Sequence, residues 1–170
     1  RALLGRSLDG IDRDLLFKAV RAGLLNEDGR ARGNIASVYR NLTYDEIKPL
    51  LGAINQAIVE PAPSGIMFAD GIRLSGLELF VKYRIKEGME GIVRYARDQK
   101  LHGSRPRLER VMKFLISYGA HAKSMIPKLK ELAVYFPTQT AHPRSINLEK
   151  SKIVEATIKK IEAATEYPKL

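Results

Sequence analysis

Three histidines, one pair of carboxylates and a run of arginines are the residues here whose types and spacing bear on chemistry. Imidazoles ligate metals and move protons near neutral pH. His102, His121 and His142 show neither a His-Xaa-Xaa-Xaa-His nor a His-Glu-Xaa-Xaa-His spacing, so no helix face presents two of them to zinc. Each is expected in a corner or linker, and neither a metal site nor a general base is read from them. The chain has no cysteine, which excludes a disulfide framework, a thiolate metal site and a cysteine nucleophile. Glu87 and Glu90 lie three apart, a spacing that can serve acid/base work, but Gly88 stands between them and a solvated helix junction is expected. Asp70 and Arg73 stand at i, i+3 and can pair across a helix start, with Asp70 as its N-cap. Ser64-Gly65 and Ser75-Gly76 lack the strand-turn-helix setting of a nucleophile elbow. No residue set points to an enzyme, and no cofactor is expected.

The basic residues are the strongest candidates for binding. The 170-residue chain carries net charge +10. Residues 82–130 hold 13 Lys and Arg against 4 Asp and Glu, while residues 1–81 are neutral on balance. Arg94, Arg97 and Lys100 follow at i, i+3 and i+6, and Arg105, Arg107, Arg110 and Lys113 come in the next turn and helix. Such an array can hold phosphate or sulfate groups without reading sequence. A solvated, solubilising helix face accounts for the same charges. Base stacking needs exposed aromatics. The chain has no Trp, and Tyr83, Tyr95 and Tyr118 are open to core roles, so sequence-specific readout is unsupported.

The elements that position these residues read as helices throughout. Apolar residues recur at three and four in 12–25, 33–41, 44–59, 70–87, 89–100, 104–118, 124–136 and 147–166. Thr43 and Glu46 form a capping box, and Pro49 predicts a bend. Gly29 is expected at positive φ in a turn, Gly88 as a helix break and Ser104 as an N-cap. Met67-Phe68 reads as an apolar anchor for the linker 60–65. On a helical wheel Leu108, Val111, Met112, Leu115 and Tyr118 share one arc, with Arg110 and Lys113 opposite. No apolar run approaches the ~20 residues of a membrane span. The chain begins at Arg1 and reads as a piece of something longer.

A helix, corner, helix pattern recurs every ~35–45 residues, the size of a two-helix solenoid unit. Residues 118–129, Tyr-Gly-Ala-His-Ala-Lys-Ser-Met-Ile-Pro-Lys-Leu, carry a Gly/Ala corner followed by Pro-Xaa-Leu early in the second helix. This run resembles a HEAT repeat, and Ile47-Lys48-Pro49-Leu50 matches it loosely. Asp28-Gly29-Arg30, residues 67–73 and residues 82–88 look like stretches of large bacterial proteins with HEAT-like regions. The resemblance implies an all-α, right-handed α-α superhelix of antiparallel helix pairs over 1–136, a linker 137–147 and a capping helix 148–170. It also implies a noncatalytic interaction or scaffold module in an exported or periplasmic setting, whose partner is a protein or another domain of its parent chain. The alternative is polyanion binding, to nucleic acid or an anionic glycan, through residues 82–130.

Overall fold

The computed structural model describes residues 10–36, 42–65, 68–99 and 104–170. Among them the protein is all-helical with no strand, and Asp28 and Ser64 form an isolated bridge. The chain divides into two compact units, Arg1–Leu79 and Phe80–Leu170.

In the first unit α1 is Arg13–Leu24, and the Asp12 carboxylate caps it by accepting from the amides of Asp14 and Leu15 at 2.9 and 3.1 Å. Its Val20 and Leu24 are buried. Helix α2, Gly29–Ala36, starts earlier than the hydrophobic spacing predicts. The expected left-handed turn at Gly29 does not form, because the Asp28 carboxylate accepts from the Arg30 amide and starts the helix there. Glycine is needed at 29 for a different reason: a Cβ would sit 2.6 Å from the Gly65 carbonyl oxygen. The end of the predicted helix, 37–41, lies outside the described residues.

The Thr43 capping box forms as the sequence predicts. The one long helix expected after it is instead α3 (Tyr44–Ile47), a 3-10 turn (Lys48–Leu50) and α4 (Leu51–Val59). Pro49 lacks the amide that an α-helix would use, so the ladder tightens to a 3-10 turn there. Ile47, Leu50, Ile54 and Ile58 are nonetheless buried on one stripe. Helix α5 is Ala69–Lys82. Asp70 is its second residue and so not its N-cap, and Arg73, 4% exposed, donates to the Ile58 carbonyl at 2.6 Å. Phe68 is exposed beneath Arg30 rather than buried as an anchor, and Met67 lies outside the described residues.

Helix α6, Glu87–Arg97, corrects the reading of Gly88, which lies buried inside it. The break comes earlier. The Ile85 amide donates to Phe80 O and the Arg84 amide to Val81 O, with Arg84 at φ 51°. These two bonds are a Schellman motif, with arginine at the position where glycine is usual. Gly88 serves packing: a Cβ there would overlap the Tyr118 hydroxyl and lie 2.9 Å from Phe80 Cβ.

Helix α7 is Ser104–Ile116 and α8 is Ile126–Thr138, joined through a 3-10 turn, Gly119–Met125. Ser104 is the first helical residue, and those before it, from 100 to 103, are not described. The predicted arc of α7 is buried through Leu108, Val111, Met112, Leu115 and the following Tyr118. Pro127 occupies the first turn of α8, where its missing amide has no intrahelical partner to lose. Helix α9, Arg144–Glu162, lies along α8 and also packs on α7. After it residues 164–170 run back over the 3-10 turn. The Ala120 amide donates to Glu166 O at 2.7 Å, and a Cβ at Gly119 (φ 59°) would meet that same oxygen at 2.5 Å.

Candidate functional site

The described residues of the predicted basic set have different surroundings. Arg94 and Arg97 lie exposed on α6 and line a groove of about 260 Å³ against α8, with Val93, Leu132, Glu90, Lys128 and Glu131. Glu90 pairs with Lys128 there. Arg105 pairs with Glu109 at 3.3 Å and with Glu149 at 3.2 Å. Arg107 is half-buried and donates to the Gln99 side-chain oxygen at 2.8 Å. Arg110 lies over the Phe114 ring at 5.7 Å. Lys113 lines a separate groove between α7 and α9, near Lys160. Lys100 lies outside the described residues, as does His102.

Arg97 also borders a cleft of about 250 Å³ that the sequence reading missed. It is walled by the end of α6 (Arg97, Asp98, Gln99), the end of α8 (Tyr135, Phe136), the 139–143 connection and the first turns of α9 (Asn147, Lys150). Lys150 is 1% exposed. Its Nζ lies within hydrogen-bond distance of His142 Nδ1, at 2.9 Å. It also sits 5.3 Å from the centre of the Phe136 ring. Among the described residues no carboxylate pairs with it. Burial first, and then the Arg107 charge, hold Lys150 below the ordinary lysine range. Burial first, and then Lys150, lower the His142 pKa.

Asn147 is equally buried. Its amide nitrogen donates to the carbonyls of Gln139 and His142 at 2.7 and 3.4 Å, which fixes the flip of the group. Its oxygen, Oδ1, has no hydrogen-bond partner. A buried acceptor without a donor is costly, and this atom is closed to solvent.

A signal for this cleft was present. On α9 the buried residues are Asn147, Lys150, Ser151, Val154, Thr157, Ile158 and Ile161, spaced by three and four. The amide and the ammonium thus stand on the apolar stripe, where polar groups are rare unless held by partners. His121 has a structural place instead: its Nε2 faces the Pro168 carbonyl at 2.9 Å and its ring meets Tyr167 edge-on. Among the described residues no group of His, Asp or Glu is arranged to hold a metal ion, and no helix is long and apolar enough to cross a membrane.

No protein-family model, no curated protein and no solved structure matches this chain.

Proposed function

We propose that the chain is a noncatalytic interaction module of HEAT-like antiparallel helix pairs coiled into a right-handed superhelix, which grips a protein or another domain of a longer parent chain. The observation that carries this reading is the groove between α6 and α8. Its floor is apolar, from Val93 and Leu132, and its rim carries both signs of charge, from Arg94, Arg97, Lys128, Glu90 and Glu131. A mixed rim around an apolar floor suits a polypeptide better than a polyanion, whose uniform charge Glu90 and Glu131 would repel. The α7–α8 pair adds support through its Gly119 corner and the proline in the first turn of α8.

The test is a photo-crosslinking side chain placed at Arg94 in cells that make the protein, with the same group at exposed Lys18 as control. A discrete protein adduct from position 94 alone is expected. Equal, diffuse adducts from both positions would refute the groove as an interface. The adjacent Arg94 and Arg97 favour polyanion binding as the second reading. That reading requires fluorescence anisotropy of duplex DNA, single-stranded RNA or a sulfated glycan to rise at low salt and collapse as salt increases. It also requires Arg94→Ala with Arg97→Ala to weaken the rise.

A further inference from the structure

We infer that the groove between α7 and α9 docks a short peptide segment in which an acidic side chain stands beside a medium-sized apolar one. The groove is built by register. Its α7 wall is residues 109, 112, 113 and 116, and its α9 wall is residues 153, 156, 157 and 160. The two sets share one spacing and stand 44 positions apart, and the Arg105–Glu149 ion pair has the same offset. The two helices therefore run parallel, with their stripes level. Ile116 and Ile153 are half-buried and Ala156 is exposed, so apolar surface is open to a ligand.

Charge narrows the occupant. Towards the start of α7, Glu109 and Glu149 both pair with Arg105, so that end of the groove meets its charges internally. The half towards the helix C-termini carries Lys113 and Lys160, both exposed. Among the described residues neither has a carboxylate partner. Two unspent cations beside open apolar surface complement one carboxylate beside one apolar side chain. The volume of about 180 Å³ suits a side chain of a linear segment better than a long acyl tail, which would run into the Arg105 cluster. The same carboxylates disfavour a nucleic acid. This groove shares no residue with the one between α6 and α8, so the two readings fail separately.

The experiment pans a phage-displayed library of random peptides against the full chain. Enriched sequences are synthesised with blocked termini and titrated by fluorescence anisotropy. They are expected to carry Asp or Glu beside Leu, Ile, Val or Met. Lys113→Glu together with Lys160→Glu should weaken them at least about fivefold. Lys18→Glu with Lys130→Glu changes the net charge equally at exposed sites elsewhere and should leave binding unchanged. A peptide with Lys in place of its acid should bind the Lys113/Lys160 variant better than the wild type, a gain that a misfolded chain cannot give. Alanine in place of the apolar residue should weaken binding severalfold. Enriched peptides without an acid, equal losses from both pairs of substitutions, or no enrichment would overturn the inference. Laurate binding where no peptide binds would overturn it in favour of a lipid.

Discussion

Replacing Gly88 with alanine probes a close approach in the second unit. The new Cβ would overlap the Tyr118 hydroxyl and lie 2.9 Å from Phe80 Cβ. Neither neighbour yields easily. Tyr118 is 1% exposed and its hydroxyl donates to the Ile85 carbonyl at 2.9 Å, while Phe80 Cβ is bonded directly to its backbone. Relief therefore comes from shifting α6 or from breaking the Tyr118–Ile85 bond. Overpacking costs about 1–3 kcal/mol, and a buried carbonyl left alone costs about 1–3 kcal/mol. Alanine's better helix propensity returns up to about 1 kcal/mol. The net expectation is a loss of about 2 kcal/mol, read by urea unfolding followed by circular dichroism. Tyr118→Phe removes the clashing oxygen. In that background Gly88→Ala should cost at least about 1 kcal/mol less, a coupling that a double-mutant cycle resolves. Gly88→Ala with wild-type stability, or with the same penalty in both backgrounds, would refute this account of the packing.

Other outcomes follow from single sites. Lys150→Met should raise the unfolding midpoint, by about 1 kcal/mol in stability, because it removes a buried charge that lacks a carboxylate while keeping the apolar stem. Thermal unfolding monitored by calorimetry decides it, and a fall in midpoint would show that the ammonium is stabilising. His142 titrates below its ordinary 6.5 in the fold, so as pH drops below that value the unfolded state takes up more protons and stability falls. His142→Phe should flatten this part of the stability–pH profile. Gly119→Ala should cost about 2 kcal/mol in the same assay, from left-handed backbone strain together with the close approach of Glu166 O. Thr43→Ala should cost the first unit about 1 kcal/mol by removing the capping box.

Local signals were legible where one residue type has one mechanical effect. Thr43 with Glu46, Pro127 in a first turn, and the arc from Leu108 to Tyr118 all stand where their patterns put them. Glycine was harder to read, because it serves two ends. At 119 it supplies a positive φ, at 29 and 88 only the absence of a side chain, and which applies depends on a neighbour distant in sequence. The end of α5 was hidden for the converse reason: Arg84 adopts the left-handed position without the usual glycine, helped by its bond to Ser117 O at 2.6 Å. The cleft was hidden because charge density along the chain carries no sign of burial. Residues 131–170 are nearly balanced in charge, yet the most buried cation among the described residues, Lys150, lies there.

The tail that returns over the 3-10 turn joins His121 to Pro168, 47 positions apart, without a covalent link. Closing so long a loop is entropically opposed on its own. The strap is therefore held only once α8 and α9 have brought its ends together, and it can peel away while they stay folded. The Ala120 amide, bonded to Glu166 O, is then a natural clock for that motion. In heavy water its proton should exchange well ahead of those in the middle of α8, at a rate set by peeling alone, so one backbone amide separates local opening from global unfolding.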